Sequence, residues 1–431
     1  MAINVLAAAD LHLGRRSAGL PANDETLASK NAWQRLVQWA IDKEVDVVAL
    51  AGDVVDQDNS YYESIGSLQA GFDLLGQAGI QVFMVSGNHD YRVLPQMLST
   101  RYPHVHLLGS SGQWECGIFR KEGETVQFVG RSFPSGSPTQ TTSPVSLLRP
   151  DQWISGLPTV GLIHGDLFDP LSVYCPIRSN DLAATGIGTW VLGHIHKPYE
   201  EDLAGTTIHY PGSLQALSAK EKGPHGFLLL RVEEHRKSIE KVFLSTVRYE
   251  DLEVSVDGLN TREAFQAHLV DMVQRDAETR LAELDDVRFL SYDIRLIGQH
   301  DQEAAVMGWA SASQNELALR IGSEVTASVR SVESQIAPAI GDLNELSREP
   351  SPAGILAGTI LALRAGTDTP LLTALEAKWE NQQRELQRAA VYLPLMAAGP
   401  TAATPSDGRG HLLRECNRLL SQLQQQRRAN E

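Results

Sequence analysis

The sequence predicts a layered α/β protein, in which one large domain is followed by a smaller α/β unit and a helical region. Three observations carry this prediction. In residues 1–245, short apolar runs alternate with stretches of helical amphipathic spacing. The first three runs are almost continuously apolar, as is typical of strands that are covered on both faces. At 431 residues, the chain is also too long for one typical core, so two or three domains are expected.

The predicted strands of the first domain follow each other at short intervals. They are 3–10, 45–53, 80–88, 105–109, 126–133, 159–166, 189–196, 207–213, 226–233 and 241–246. An amphipathic helix is predicted over 28–44, between the first two strands. The Ser/Thr/Pro-rich stretch 135–150 is predicted to be a loop.

The remaining sequence suggests two further regions. In the smaller α/β unit we expect strands at 253–256, 289–298 and 324–332, with a helix that begins at Thr261. Helices are predicted at 370–389 and 411–428, separated by a Gly/Pro/Ala/Thr-rich linker over 397–410. We therefore predict domains at 1–246, 247–335 and 336–431.

Composition excludes several classes of protein. The formal net charge is −16, which disfavours a protein that simply coats nucleic acid. Only three cysteines occur, widely spaced, so neither a disulfide framework nor a cysteine zinc site is indicated, and a reducing cytoplasm is the expected location.

The N-terminus reads as a strand rather than a signal peptide. The apolar stretch 354–363 is too short to span a bilayer, so no membrane role is expected.

Five of the predicted strands end in carboxylate, amide or imidazole side chains. These side chains are Asp10, His12, Asp53, Asn88, His89, Asp90, His164, His194 and His196. In α/β sheets, ligands bind at the carboxyl ends of the strands. In the Asp10-x-His12 and His194-x-His196 pairs, the alternation of an extended chain puts both polar side chains on one side. Each pair can therefore bind one ion, or two adjacent ions.

The donor set contains oxygen and imidazole nitrogen but no thiolate. Such a set suits manganese, iron or zinc better than calcium or a structural zinc ion. Two metal ions about 4 Å apart form a recurring arrangement for displacement at phosphorus, because they activate water and absorb charge on the phosphate oxygens. The strand ends thus indicate a site for one metal ion or for two adjacent ions, and a pair of ions would suit phosphoester chemistry.

The ordered series D-x-H, G-D, G-N-H-D, H-G and G-H-x-H resembles the calcineurin-like metallophosphoesterase superfamily over residues 1 to about 246. The Tyr-Pro-Gly-Ser segment at 210–213 also resembles the turn that follows the last histidines in that family. The resemblance implies a four-layer α-β-β-α sandwich and two divalent metal ions, with Mn²⁺ preferred over Fe or Zn.

The resemblance also implies a role for each motif residue. One ion would be bound by Asp10, His12 and His196, and the other by Asn88, His164 and His194. Asp53 would bridge the two ions. His89 resembles the catalytic histidine that protonates or stabilises the leaving oxygen. For Asp90 two roles remain open, to orient His89 or to cap the next helix.

A narrower resemblance is to the SbcD-like DNA repair nucleases, through "DLHLG" at 10–14, "AGDVVD" at 51–56 and "GNHD" at 87–90. It implies DNA ends as substrates, a capping role for the second α/β unit, and an SMC-like coiled-coil ATPase as partner. Some members have a histidine three residues after the bridging aspartate, where this chain has Asp56, so no role is transferred to it. A homodimer is a further arrangement to test.

Other interpretations of the same residues stay open. Arg15 and Arg16 follow the first ligand pair and fit either a solvated surface or contact with the phosphate backbone. Apolar residues at helical spacing in the last helix suit packing on the protein itself or on an ATPase coiled coil; they are Leu412, Leu413, Cys416, Leu419, Leu420 and Leu423. The leading hypothesis is a manganese-dependent DNA exonuclease or endonuclease. The alternatives are a phosphoesterase for small or protein substrates, and a scaffold subunit of an ATPase complex.

Overall fold

The computed structural model describes residues 2–20, 24–56, 61–98, 102–134, 136–233, 236–337, 343–388 and 408–430. The chain divides into two compact units. The first unit comprises Met1–Glu250, Ala277–Tyr292 and Ala318–Ser328. The second unit comprises Asp251–Asp276, Asp293–Leu317 and Val329–Glu431. The predicted division at 246 and 335 into three domains stays a prediction.

The strands and helices are numbered here in chain order. The strands are β1 Ile3–Ala8, β2 Val47–Ala51, β3 Gln81–Val85, β4 Val105–Leu107, β5 Glu115–Lys121, β6 Glu124–Arg131, β7 Thr159–His164, β8 Thr189–Gly193, β9 Tyr199–Leu203, β10 Thr206–Tyr210, β11 Gly226–Glu233, β12 Arg236–Phe243, β13 Val247–Ser255, β14 Phe289–Ile297, β15 Ala318–Ile321 and β16 Val325–Ser334. The helices are α1 Ser29–Asp42, α2 Tyr61–Gln77, α3 Val93–Met97, α4 Ser179–Ala184, α5 Arg262–Thr279, α6 Glu303–Glu316, α7 Leu343–Leu346, α8 Pro352–Ala365, α9 Pro370–Arg388 and α10 Gly408–Asn430.

Two six-stranded sheets form the framework of the first unit. The first sheet has the order β12-β11-β1-β2-β3-β4, and the second has the order β5-β6-β7-β8-β10-β9. In the first sheet β1 to β4 are parallel, and β11 and β12 are added antiparallel. In the second sheet β6, β7, β8 and β10 are parallel, between antiparallel β5 and β9. Each sheet thus has a run of parallel strands whose carboxyl ends share one edge.

The apolar residues of the central strands are divided between two cores by the alternation of an extended chain. In β1, Val5 and Ala7 belong to the core that also contains Phe128, Val160 and Leu162 of the other sheet. Their neighbours in β1, such as Leu6, pack instead with α1 and α2. Both faces of these strands are buried, which explains why the sequence shows continuous apolar runs rather than an apolar/polar alternation.

Helices cover the outer face of each sheet. Trp33 and Leu36 of α1 and Phe72 of α2 are fully buried in the core outside the first sheet. On the outside of the second sheet, Leu182 of α4 packs in a core with Trp190 of β8. The predicted α/β class and four-layer α-β-β-α sandwich are therefore confirmed.

Both edge strands of the second sheet, β5 and β9, were not predicted from the sequence, and neither was β15 at the edge of the third sheet. β5 has only half-exposed and exposed side chains, and β9 alternates between half-exposed and exposed residues. Because neither strand has an apolar face of its own, its hydrophobic pattern gives no strand signal. Both strands lie at the edges of the second sheet.

A third sheet and the remaining helices follow the sandwich. This sheet has four strands in the order β13-β14-β16-β15. In the second unit, Cys416 and Leu420 of α10 pack against Ala357 and Ile360 of α8. Part of the apolar stripe of the last helix is therefore buried within its own unit, whereas Leu419 is exposed. Residues 397–407 of the predicted linker lie outside the described residues.

Among the described helices, none combines the length and the apolar character that crossing a membrane requires.

Candidate metal centre

The candidate site lies where the parallel strands of both sheets end. From the first sheet, the segments after β1, β2 and β3 carry the polar motifs predicted from the sequence. From the second sheet, β7 ends at His164, and the segment after β8 carries His194 and His196. The chain brings these distant segments together because all of them follow the carboxyl ends of buried strands.

Asp10, His12 and His196 form the first group of donor atoms. One ligand atom from each lies within 4.8 Å of the others. The Nε2 atoms of His12 and His196 are only 3.0 Å apart, although the two residues are separated by 184 positions in the sequence. This is the set that the sequence assigns to one ion.

The other ring nitrogen of each histidine contacts a carboxylate. Nδ1 of His196 lies 3.2 Å from Oε1 of Glu221, and Nδ1 of His12 lies 3.1 Å from Oδ1 of Asp56. A carboxylate accepts hydrogen bonds, so each Nδ1 is the protonated nitrogen when the ring is neutral. The unprotonated Nε2 atoms then point at each other, an arrangement that favours a cation between them.

His164, Asn88 and Asp53 form the second group. Nδ1 of His164 donates to the backbone carbonyl of Ala51 at 3.0 Å. Its Nε2 lies 3.1 Å from Oδ1 of Asn88 and 3.3 Å from Oδ2 of Asp53. In the neutral ring Nε2 carries no proton, so three electron-pair donors converge on one point. Such a convergence fits a second metal ion.

The electrostatic interactions within the second group favour a positive charge among its donor atoms. Burial opposes ionisation of His164, but the neighbouring Asp53 outweighs it and raises the pKa of His164 to about 9. Burial likewise opposes ionisation of Asp53, yet His164 and His12 keep its pKa well below the usual range. Without a metal ion, a proton on His164 therefore supplies the charge that a cation would supply.

Asp10 and His194 connect the two sheets. The backbone N–H of His194 donates to both carboxylate oxygens of Asp10, at 2.9 and 3.1 Å. The ring of His194 lies 5.4 Å from that of His164, between ring centroids. Burial, together with His164, lowers the pKa of His194 to about 4, so its ring is neutral and can serve as a ligand.

The backbone is strained at four of the predicted ligands. Asp10, His12, Asp53 and His194 have positive φ angles of 52°, 43°, 51° and 99°. Residues other than glycine rarely adopt this conformation, and it costs about 1–3 kcal/mol at each position. Strain concentrated on one cluster of side chains is typical of a functional site.

His89 lies at the accessible rim of the site, with 30% of its side chain exposed. Its Nδ1 lies 3.0 Å from Oδ1 of Asp56, and its Nε2 lies 4.0 Å from Oδ2 of Asp53. Asp56 beside the ring outweighs burial and raises the pKa of His89. The imidazole can therefore bear a proton next to the donor atoms that would hold the ions.

Asp90 is fully buried and binds backbone rather than the ring of His89. Its Oδ1 accepts from the N–H of Gly87 at 2.7 Å, and its Oδ2 accepts from Val54 at 2.6 Å and Val55 at 3.3 Å. These bonds join the turn after β3 to the segment after β2.

Burial raises the pKa of Asp90 to about 7. Its backbone carbonyl accepts from the first turn of α3, at Val93 and Leu94.

Two carboxylates complete the site without having been assigned to it from the sequence. Asp56 contacts both His12 and His89, and a turn or helix cap was the simpler interpretation of its position after Asp53. Glu221 lies in a polar segment that carries no motif, eight residues after Ser213. Only the fold reveals that Glu221 orients His196, since no spacing rule links residues 25 positions apart.

Arg15 and Arg16 lie beside the site, but they differ in their contacts. Arg16 donates to the backbone carbonyl of Asp24 at 2.6 Å and pairs with Glu25 at 3.5 Å. Arg15 lines a small cleft together with Arg16 and Lys30. The other histidines of the first unit lie outside the donor groups; they are His104, His106, His209 and His225.

Comparison with known proteins agrees with this geometry. The sequence profile described as calcineurin-like phosphoesterase matches residues 3–198, which contain all seven predicted ligands. The uncharacterized metallophosphoesterase YhaO of Bacillus subtilis is 28% identical over 272 residues, 60% of this chain and 65% of that protein. The DNA double-strand break repair protein Mre11 of Haloferax volcanii is 27% identical over 268 residues, 59% of this chain and 55% of that protein.

The chain thus spans less than two thirds of the length of either relative. Among solved structures, a dimetal phosphatase from Danio rerio covers 56% of this chain at 13% identity, with a TM-score of 0.36.

The profile match, the four-layer sandwich and the two donor groups agree with one another. The donors fit two divalent metal ions, held by imidazole, carboxylate and amide side chains. Residues 3–198 therefore match the calcineurin-like phosphoesterase family, both in sequence and in the side chains that could hold metal ions.

Proposed function

We propose that the protein is a two-metal phosphodiesterase that hydrolyses DNA phosphodiester bonds, as an exonuclease or endonuclease in DNA repair. The similarity to archaeal Mre11 proteins, at 26–27% identity over 52–59% of this chain for two of them, supports DNA as the substrate. Manganese is the metal that we expect from the family resemblance, and donors of oxygen and imidazole nitrogen without thiolate fit it, as they fit iron or zinc. A cytoplasmic location is part of the same proposal.

One observation carries the hydrolytic part of the proposal. Oδ2 of Asp53 lies 3.3 Å from Nε2 of His164 and 3.8 Å from Nε2 of His12, so one carboxylate lies between the two donor groups. A carboxylate between two ion sites is the arrangement that a two-metal hydrolase requires. When bound, the two ions would activate a water molecule and neutralise charge on the phosphate oxygens.

The protein residues have separate tasks in this reaction. His12 and His196 present unprotonated Nε2 atoms because Asp56 and Glu221 occupy their Nδ1 atoms. His89, half-exposed beside the site, is the group that would protonate the leaving sugar oxygen, and Asp56 beside it raises its pKa. Asp56 lies 3.0 Å from Nδ1 of His89, on the other side of the ring from Nε2.

The test compares substrates on one preparation. The full chain is incubated with Mn²⁺ and, in separate reactions, linear single-stranded DNA, linear duplex DNA and bis(4-nitrophenyl) phosphate. We expect cleavage of DNA, and loss of all hydrolysis in Asp53→Asn. Hydrolysis of the small diester without cleavage of either DNA would reject the nuclease and favour the alternative, a phosphoesterase for small or protein substrates.

The role of His89 is tested separately from metal binding. We expect His89→Gln to lower kcat by roughly 100- to 10,000-fold, the range typical of a general acid. Metal content, measured by elemental analysis, should stay that of the wild type, because His89 belongs to neither of the two donor groups assigned to the ions. A parallel loss of metal would reassign His89 as a ligand.

The second candidate is a scaffold subunit that docks on an SMC-like coiled-coil ATPase. The exposed Leu419 of α10, beside the buried Cys416 and Leu420, supports a remaining contact surface on that helix. Co-purification of the full chain with such an ATPase, compared between the wild type and Leu419→Glu, tests this partner. Size-exclusion chromatography with light scattering of the protein alone tests the homodimer.

A further inference from the structure

An exposed apolar segment lies next to the candidate metal centre. Of the twelve exposed large hydrophobic side chains in the described part of the chain, four lie in the seven-residue segment 168–174, which follows β7. They are Phe168, Leu171, Val173 and Tyr174, exposed by 38, 87, 43 and 36%. Such clustering on a monomer surface commonly marks a contact site.

Tyr174 is the member of this segment that contacts the site itself. Its ring centroid lies 5.2 Å from that of His194, one of the predicted metal ligands, with an interplanar angle of 42°. Phe168 belongs to a second aromatic group, since its ring lies 4.9 Å from that of Tyr199. The atoms next to a phosphate at His194 would therefore lie within reach of the Tyr174 ring.

The position of Tyr174 is fixed by its backbone. Val173 and Cys175, on either side, exchange hydrogen bonds with Gln140: the Gln140 N–H donates to the Val173 carbonyl at 2.8 Å, and the Cys175 N–H donates to the Gln140 carbonyl at 2.7 Å. The carbonyl of Cys175 in turn accepts from the N–H of Asp166 at 2.9 Å. The backbone on both sides of Tyr174 is thus held by hydrogen bonds, through isolated bridges to Gln140 and Asp166.

Cys175 and Tyr174 face opposite ways. The side chain of Cys175 is buried in the outer core of the second sheet, whereas the ring of Tyr174 is 36% exposed. Cys175 has a φ of 59°, in the left-handed region, a conformation that costs about 1–3 kcal/mol. The buried, strained residue thus directly follows the exposed ring.

We propose that Tyr174 is a specificity-determining residue, whose ring stacks on an unpaired nucleobase next to the scissile phosphate. This inference rests on the proposed nuclease function. In nucleic acids a base is joined through one sugar to each phosphate, so a strand at the metal centre has a base close to its rim. An aromatic ring stacks on any exposed base face, whatever the sequence, and a rigidly held ring loses little freedom on binding.

The proposal defines the substrate class as single-stranded or frayed DNA. A base in a duplex has both faces covered by its neighbours, so only a terminal or unpaired base can stack on Tyr174. Stacking is independent of base identity, which predicts cleavage without marked sequence preference.

The test pairs a protein change with a substrate change. The wild type, Tyr174→Ala and Tyr174→Phe are assayed with Mn²⁺ on oligothymidylate and on an oligomer of abasic residues of the same length. For the wild type we expect kcat/KM to be roughly 5- to 150-fold higher on the strand with bases. Tyr174→Phe should keep this ratio, whereas Tyr174→Ala should bring it close to one, because the part of kcat/KM that depends on the bases is lost.

A binding measurement gives a second readout. In the presence of EDTA, a single strand containing 2-aminopurine should lose fluorescence on binding to the wild type and to Tyr174→Phe, but not to Tyr174→Ala. The matched control is Ile154→Ala, because Ile154 is 48% exposed and lies near the amino end of β7, at the opposite edge of the sheet. Ile154→Ala should behave as the wild type in both assays.

The outcomes separate this inference from the proposed function. If the wild type cleaves DNA and Tyr174→Ala keeps the full preference for bases, the stacking role is wrong while the nuclease stands. If the wild type neither binds nor cleaves DNA but hydrolyses bis(4-nitrophenyl) phosphate, both are wrong. If Tyr174→Ala lowered kcat/KM by the same factor on both oligomers, the effect would be structural, and the stacking role would also be wrong.

Discussion

Glu221 is the residue that fixes the His196 ring. In addition to the contact with His196, its carboxylate accepts from Ser213 Oγ at 2.6 Å, the Leu217 N–H at 2.9 Å and Ser218 Oγ at 3.1 Å. Burial opposes ionisation, but the hydrogen bond with His196 outweighs it, and the pKa of Glu221 is lowered to about 2. Because the carboxylate is held at several points, the His196 ring cannot turn its Nε2 away from the site.

We expect Glu221→Gln and Glu221→Ala to weaken metal binding by roughly 10- to 100-fold, the usual effect of losing a partner of a ligating histidine. Isothermal titration with Mn²⁺ measures this directly. The matched control is Glu240→Gln, because Glu240 is exposed and its pairing with Arg231 at 3.8 Å is weak. If the wild type and both Glu221 variants bound Mn²⁺ with equal affinity, the His196 ring would be held by packing alone.

His209 gives a prediction on pH and stability. It is buried in β10, and neither ring nitrogen has a hydrogen-bond partner among the described residues. Burial lowers its pKa, whereas in the unfolded chain a histidine titrates near pH 6.5. The unfolded state therefore binds the proton first, and the free energy of unfolding should fall as the pH drops below about 6.5.

The check is urea unfolding of the wild type and His209→Gln between pH 5 and 8. Glutamine does not titrate, so the variant should lose less stability than the wild type on the acidic side. Other groups that titrate contribute equally to both proteins and cancel in the difference. If the free energies of unfolding of the two proteins changed in parallel with pH, His209 would take up its proton equally in the folded and the unfolded protein.

At the scale of single elements, helix α2 contains two glycines in different surroundings. An added Cβ on Gly66 meets no atom within 4 Å, whereas on Gly71 it would lie 2.3 Å from Nε1 of Trp33 in α1. Trp33 is fully buried, and its Nε1 donates to the Ser67 carbonyl at 3.1 Å, so the indole has little room to move.

Gly66→Ala should therefore stabilise the protein by about 1 kcal/mol, the difference in helix propensity between the two residues. Gly71→Ala should destabilise it by about 1–3 kcal/mol, because the methyl group overpacks the contact between α1 and α2. Thermal unfolding of both variants tests the pair, with each serving as the control for the other. A stabilising Gly71→Ala would show that the two helices can move apart.

The elements also show how much the sequence can predict. The central strands were found because burial on both faces leaves a continuous apolar run, and the motifs at their ends located the donor groups. The edge strands β5 and β9 could not be predicted because neither contains a fully buried side chain. Asp56 and Glu221 could not be assigned because the fold alone brings them to the histidine rings.

At the scale of the whole molecule, the metal centre joins the two sheets of the sandwich. Asp10, from the first sheet, accepts from the backbone of His194 in the second, and the Ala51 carbonyl accepts from His164. Metal ions bound to ligands of both sheets would add further links. Ligands that bind only the folded state increase its stability in proportion to the logarithm of their concentration.

Addition of Mn²⁺ to protein freed of metal should therefore raise the melting temperature, and EDTA should reverse the change. At 100 times the dissociation constant, the expected gain is about 2.7 kcal/mol. Differential scanning calorimetry measures the effect, with Asp53→Asn as the variant that should respond weakly. An identical response of Asp53→Asn would place the stabilising ions elsewhere on the protein.

The joining of two sheets by one site limits how the protein can change. A shift of one sheet past the other by a single residue is about 3.3 Å, more than the whole length of a metal–ligand bond of about 2.0–2.2 Å. Insertions and deletions are thus tolerable in the connecting loops only when both sheets keep their alignment. Related chains should differ freely in loop length and scarcely at all in the number of residues between a strand and its terminal ligand.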